Sequence, residues 1–346
     1  MTQAMAEQQE LLTRLVEETY DGSRAVLQHI SPYLLEDRGI YRVDWEDGTS
    51  SVLRAFRADV TVELTGHAAV LEYLHQRGFA APQVRRTCDG AFLSSYQGWT
   101  ALLISFLEGE EADFALHTLD LLAECAACLH TSSHDALAEA ERACLPDSPL
   151  RPTQPDSLAI DNLSRALPHV PEALRQFCEK AINSLQHVQH LQQAGHLPET
   201  LIHGDCWPGN AVRTPPGGIA LIDWDWAGIG PAILDLGNLL LTCHFDKPQV
   251  PFIQPDEPSI AAVVRGYCRQ RRPSASELSV LEDAILYEVV RRAGSENMLS
   301  ALSDGWAEKK WVQNMLARAR VSPKIAAIAR PYFEQEAQMQ KTHDKQ

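Results

Sequence analysis

The sequence predicts an α+β chain of two lobes, a small β-rich one in front and a larger helical one behind. Three observations support this. The first third alternates apolar and polar residues around turn signals, as half-buried antiparallel strands do. From Ala112 onward helical periodicity takes over, interrupted by one short β insertion between about 201 and 223. The chain also has 346 residues, enough for a bilobal unit, and 45% hydrophobic with 22% charged residues is ordinary globular composition. The expected limits are residues 1–104 for the front lobe, 105–109 for a connecting hinge and 110–346 for the helical lobe.

In chain order, residues near 8 to 30 are expected as a helix that stops at Ser31-Pro32. Ile40 to Trp45 and Ser51 to Phe56 make a β-hairpin around Glu46-Asp47-Gly48. A helix from about Val60 to Arg77 follows, ended by Gly78 and Pro82. Strands are expected at about 84 to 95 and 99 to 107. The helical regime comprises about 113–130, 170–192, 275–293, 305–320 and 322–340. The stretches 144–158 and 246–259, rich in Pro, Asp and Ser, are expected as surface loops.

Charge and composition narrow the function. The formal net charge of −16 disfavours a nucleic-acid partner, because phosphate backbones attract basic surfaces. An acidic surface instead suits solubility and, more weakly, a cationic ligand. No apolar run is long enough to span a bilayer, so no membrane partner is expected. The polar amphipathic N-terminus lacks the layout of a signal peptide, which makes the cytoplasm the expected compartment. Of the eight cysteines only Cys125 and Cys128 form a CxxC, and their place in LDLLAECAACLH favours a helix core over a metal or redox site.

The informative stretch is LIHGDCWPGNAVRTPPGGIALIDWDWAGIGPAILDLGNLL, residues 201–240. Asp205 follows a strand-like Leu-Ile-His-Gly, and Asn210 lies five residues on in the same loop. A hairpin through Pro215-Pro216-Gly217-Gly218 then brings Asp223 back beside Asn210. Two carboxylates and an amide at one end of a hairpin suit phosphoryl transfer, which needs alignment and charge neutralisation more than covalent help. Oxygen ligands from Asn210 and Asp223 suit magnesium. Asp205 suits the base that orients an attacking hydroxyl and accepts its proton.

His203-Gly-Asp-Cys-Trp-Pro-Gly-Asn210 followed by Ile222-Asp-Trp-Asp225 resembles the catalytic and metal-binding motifs of the aminoglycoside phosphotransferase and choline kinase-like family, which shares the protein kinase fold. The likeness runs from about residue 36 to 300 and is most specific over 201–240. It implies ATP or GTP and Mg2+ as cofactors, held between the lobes, and a small-molecule hydroxyl acceptor. Aminoglycoside-like antibiotics, choline, homoserine, sugars and macrolides are candidate acceptors. It implies Asp205 as catalytic base, Asn210 and Asp223 as metal ligands, and His203 as a structural member of the catalytic loop. Asp225 becomes a group just behind the metal ligands, and Asp235 a buried brace of that loop.

In the front lobe the resemblance implies Arg54 as the cation gripping the α- and β-phosphates, where protein kinases carry lysine. The helix glutamate that pairs with this cation falls on His67, expected as an ordinary helix-surface residue, while Glu63 one turn earlier could reach the same space. Gly39 stands alone where a GxGxxG loop would lie. In Leu102-Leu-Ile-Ser-Phe-Leu-Glu-Gly109 the hinge would bind the purine through the Ser105 carbonyl and the Leu107 amide. Asp246, Asp256, Glu257, Asp283 and Glu288 are candidates to face the acceptor. A nucleotide-binding pseudokinase is the alternative, motivated by Arg54 and the displaced glutamate. A zinc hydrolase using His203, Asp205 and Asp223 is disfavoured by a donor set that suits magnesium.

Overall fold

A computed structural model describes residues 3–20, 24–30, 37–57, 60–134, 156–215, 217–244, 254–293 and 310–343. They separate into two compact units, one ending at Gly109 and the other beginning at Glu110.

The first unit begins with helix α1 (Gln3–Thr19) and continues through strands β1 (Ala25–His29), β2 (Arg38–Trp45) and β3 (Ser50–Phe56). Helix α2 (Thr61–Gln76) and strands β4 (Leu93–Tyr96) and β5 (Trp99–Ser105) complete it. The strands form an antiparallel sheet in the order β1-β2-β3-β5-β4. Strict alternation places Tyr41, Val43 and Trp45 of β2 and Leu53 and Ala55 of β3 on one face, where Leu12, Leu15 and Val16 of α1 cover them. The hairpin turn follows its sequence signal: Gly48 takes a left-handed φ of +81°, and Asp47 Oδ1 accepts from the Thr49 amide at 2.8 Å.

Two expectations in this unit need correction. The first helix ends at Thr19, and residues 25–29 are the edge strand β1. There Ala25 and Leu27 point inward and Val26 and Gln28 outward, a period of two that had been merged with the helical pattern before it. The strand expected over 84–95 is reduced to β4, with Val84 contributing an isolated bridge to Ile104.

The second unit opens with a short strand β6 (Glu110–Glu111), then helices α3 (Leu116–His134), α4 (Asp156–Ala166) and α5 (Glu172–Gln193). The β insertion comprises β7 (Glu199–Ile202), β8 (Ala211–Thr214), β9 (Gly218–Leu221) and β10 (Gly228–Pro231). Helices α6 (Ala232–Thr242), α7 (Glu257–Gln270), α8 (Ala275–Ser279), α9 (Leu281–Ala293) and α10 (Lys310–His343) follow. Gly266 of α7 sits so close to the Asp120 carbonyl of α3 that a Cβ would lie 2.0 Å from it. Gly237 similarly lets α6 press against the Ala284 backbone of α9.

Helices α6 and α7 were not among the expected ones. α6 is buried on every side, so it has no polar face to give it a period. α7 begins inside the stretch expected as a loop: Asp256 caps it and Pro258 occupies its first turn, where proline starts a helix as readily as it marks a loop. α4 likewise begins at Asp156, within the other expected loop, whose residues 144–155 lie outside those described. α10 joins two expected helices across Pro323 and Pro331. Its buried stripe of Val312, Leu316, Val321, Ile325, Ala329 and Phe333 holds it against the bundle through both prolines. No helix among the described residues is long and apolar enough to cross a membrane.

Candidate active site

The chain leaves β7 into the 203–210 loop, runs through the β8–β9 hairpin, turns at Trp224–Trp226 and returns along β10 beside β7. Ile202 pairs with Gly228, so the ends of the whole excursion are clamped by one two-stranded ribbon. Gly204 has φ +79°, and a Cβ on it would lie 2.2 Å from the Trp226 carbonyl oxygen. Only glycine fits both the left-handed backbone and that approach.

His203 is fully buried. Its Nε2 lies 2.9 Å from the Ile222 carbonyl, and its Nδ1 lies 3.3 Å from the Asp205 amide. A carbonyl only accepts and an amide N–H only donates, so the ring is neutral with its proton on Nε2. Burial also pushes its pKa below the usual histidine value, although Asp235, Asp223 and Asp225 pull the other way. The ring packs on Trp224 with centroids 4.6 Å apart. His203 thereby ties the Asp205 backbone to the residue before Asp223.

Asn210 completes the tie. Its Nδ2 donates to Asp205 Oδ2 at 2.9 Å and to the Asp205 carbonyl at 3.0 Å, and its own carbonyl accepts from the Ile222 amide at 2.9 Å. An amide whose nitrogen is committed in this way offers its oxygen to a cation. Asp223 is exposed and left-handed at φ 61° and ψ 63°, a conformation aspartate tolerates better than most residues. Trp224 locks the following turn by donating from Nε1 to the Leu221 carbonyl at 2.9 Å. Asp225 is half-buried within that turn.

Asp235 is 1% exposed on α6. Its Oδ2 accepts from the His203 amide at 2.6 Å and from His130 Nε2 at 3.1 Å, and its Oδ1 accepts from the Gly204 amide at 2.8 Å. Burial alone would raise this carboxyl's pKa, but His130, His203 and the backbone donors outweigh it and hold the group below the usual carboxylate range. One turn along α6, Asn238 Nδ2 donates to the Cys206 carbonyl at 3.2 Å. The Cys206 thiol is itself buried and its pKa is pushed far up.

In the first unit Arg54 is buried on β3, and its Nη1 lies 3.3 Å from His67 Nδ1. This corrects the surface placement of His67, which is 2% exposed: Leu64, His67, Leu71 and Leu74 form the inward stripe of α2. Glu63 is half-buried one turn earlier. The Ser105 amide donates to the Gln83 carbonyl at 2.8 Å and its hydroxyl accepts from the Gln83 amide at 2.9 Å, while Leu107 is half-buried.

Three acceptor candidates are engaged elsewhere. Asp256 caps α7 through the Ser259 amide at 3.0 Å, Glu257 accepts from the Tyr332 hydroxyl at 2.8 Å, and Asp283 meets His187 at 2.8 Å. Asp246 and the side chain of Glu288 lie outside the described residues. Cys125, in α3, has its thiol pKa pushed up to about 12 by burial, as suits a packed residue. Sequence reasoning misplaced His67 and missed His130, Asn238 and Tyr267. Asn238 had a signal, three residues after Asp235 on one helix; His130 and Tyr267 sit among core residues and had none.

The model of the phosphotransferase enzyme family matches residues 35–278. The chain belongs to that family. A homoserine kinase from Brucella abortus is 28% identical over 239 residues, covering 68% of this chain and 66% of that protein, so the chain spans just under two thirds of that relative's length. The fold matches an amicoumacin kinase solved with AMP-PNP, Ca2+ and Ami at a TM-score of 0.65 and 14% identity, over 94% of this chain and 96% of that one. It also matches a choline kinase from Cryptosporidium parvum Iowa II at a TM-score of 0.59 and 14% identity, over 91% and 94%. The front sheet and helical second unit are thus those of the protein kinase-like fold.

Proposed function

We propose that the family member described here is a small-molecule kinase that moves the γ-phosphate of ATP or GTP to a hydroxyl of a small polar acceptor. The observation that carries this is the pair of hydrogen bonds from Asn210 Nδ2 to the Asp205 carboxylate and carbonyl, together with the backbone hydrogen bond that joins Asn210 to the residue before Asp223. Asp205 accepts the proton of the attacking hydroxyl as the new O–P bond forms, and the bond from the γ-phosphorus to the bridging oxygen breaks. Asn210 Oδ1 and the Asp223 carboxylate are hard oxygen donors that fit magnesium, which when bound neutralises phosphate charge. His203 and Asp235 hold the loop, and Asp225 adds negative charge behind the metal ligands. Arg54 would bind phosphate as a fork, with Glu63 as the carboxylate on the neighbouring helix, and Ser105 and Leu107 would meet the purine.

The likeness to homoserine kinase makes amino alcohols the first acceptors to try, and the net charge of −16 agrees with a cationic one. His67 standing against Arg54 is the observation that favours a nucleotide-binding module without turnover. An intact Asp205, Asn210 and Asp223 set favours turnover. The test is ADP or GDP release with magnesium across homoserine, choline, aminoglycosides, sugars and macrolides. Acceptor-dependent release that falls about 100-fold or more in Asp205→Asn, with nucleotide affinity retained, is the expected result. Nucleotide binding without release for any acceptor would favour the module instead.

A further inference from the structure

His130 lies on α3, buried to 0% exposure, and has no part in the transfer derived above. It is one link in a chain of polar groups crossing the second unit. Its Nε2 meets Asp235 Oδ2 at 3.1 Å and its Nδ1 meets the Tyr267 hydroxyl of α7 at 2.8 Å. That hydroxyl accepts from Arg271 Nη1 at 3.0 Å, and Arg271 Nη2 donates to Glu277 Oε1 at 2.7 Å. Glu277 is 1% exposed, and its Oε2 accepts from the Ser274 amide at 2.8 Å in the capping box of α8.

Counting protons gives the chain a direction. Arginine only donates, so the Tyr267 oxygen is an acceptor on that side. Its single proton therefore goes to His130 Nδ1. The imidazole must then be neutral with its own proton on Nε2, pointing at Asp235. Donation runs one way, from Arg271 through Tyr267 and His130 to Asp235. The contact between His130 and Asp235 is a neutral N–H on a carboxylate and not an ion pair, in keeping with the burial that lowers the His130 pKa.

We infer that Tyr267 and Arg271 are positioning residues for the phosphoryl transfer, acting through His130 and Asp235 on the His203–Gly204 backbone that carries Asp205. The inference rests on the proposed role of Asp205. Without the tyrosine proton, the Nδ1 lone pair of His130 is left buried with no donor, and the ring loses the contact that fixes its orientation toward the carboxylate. Asp235 Oδ2 then shifts, and the same oxygen holds the His203 amide at 2.6 Å. A displacement well under an ångström at Asp205 lowers turnover while leaving nucleotide-binding groups untouched.

The experiment uses the full chain with Tyr267→Phe, which keeps the ring and its packing. Nitrogen NMR of labelled histidine should show the Nε2–H tautomer of His130 in both proteins, with the Nδ1 resonance moving to that of an unbonded nitrogen in the variant. Hydrogen exchange at the His203 and Gly204 amides should accelerate by more than the global change in stability. With a working acceptor, kcat should fall about tenfold or more while both KM values stay within about twofold. Should Tyr267→Phe not fold, the pair Arg271→Met and Arg271→Lys decides, because lysine restores a cationic donor and methionine does not. Rescue by lysine alone supports the inference. Unchanged exchange at the two amides, or a uniform rise across the whole unit, overturns it. The nitrogen-resonance and exchange readouts need no turnover, so they decide the matter even if no acceptor is phosphorylated.

Discussion

Replacing Asp235 by asparagine keeps the shape of the loop brace and removes half of its acceptors. The carboxylate receives three N–H groups, two on Oδ2 and the Gly204 amide on Oδ1. An asparagine oxygen can stand in only one place. Set at Oδ2, it serves His203 and His130, and its NH2 faces the Gly204 N–H. Set at Oδ1, it faces two donors, which is worse. The better arrangement loses one charge-assisted hydrogen bond, about 1.5–3 kcal/mol, and leaves one buried donor unsatisfied, about 1–3 kcal/mol. The sum, about 2.5–6 kcal/mol, brackets the about 3–5 kcal/mol usual for breaking a buried charged contact. Against a total stability of about 5–15 kcal/mol this is large. Urea unfolding followed by circular dichroism should show a lower midpoint at unchanged slope. A loss under about 1 kcal/mol with unchanged exchange at the His203 and Gly204 amides would refute the brace.

Gly204→Ala combines left-handed strain with a Cβ 2.2 Å from the Trp226 carbonyl, so stability should fall by about 3 kcal/mol or more; denaturant titration checks this, and a wild-type midpoint refutes it. Asp223→Ala should raise the magnesium concentration needed for half-maximal nucleotide binding by about tenfold or more, measured by calorimetry; an unchanged requirement removes Asp223 from the metal ligands. Acid should destabilise the fold early. His130, His203 and His244 are held neutral with lowered pKa values, that of His244 at about 4. Above pH ~6.5 they contribute no pH dependence, and below it the unfolded chain binds protons that the folded one refuses, so stability falls with pH toward about 4. The Asp235 contribution persists through this window and is lost only below the usual carboxylate range. A midpoint that stays flat between pH 7 and 5 would contradict the buried neutral rings.

The residues around Asp205 were legible because their chemistry is local. A loop, a hairpin and a turn place Asp205, Asn210 and Asp223 within nineteen positions of one another, and turn residues such as Gly204 and Gly217 announce the path. Asp235 was legible only through family likeness, since nothing in Leu-Asp-Leu-Gly says that its carboxylate meets two amides more than thirty residues upstream. His67 was misplaced because histidine on an amphipathic helix reads as surface, whereas the α2 stripe carries it inward beside a buried arginine. α6 escaped because a helix buried on all sides has no period, and β1 because five residues cannot outvote the helix before them. Tyr267 and His130 meet across 137 positions, a pairing that no pattern within either helix reveals.

The hydrogen bonds that shape the catalytic loop span sequence separations of 32, 70, 105 and 137 residues, joining His203, Thr200, His130, Asp235 and Tyr267. Each closes a large loop whose entropy must be overcome before the bond gives anything back. The β8–β9 hairpin can form early on its own, but the loop preceding it acquires its shape only when α3, β7, α6 and α7 have come together. Correct geometry at Asp205 is therefore among the last events of folding, and a partly assembled chain would hold the motif in sequence without the means to use it.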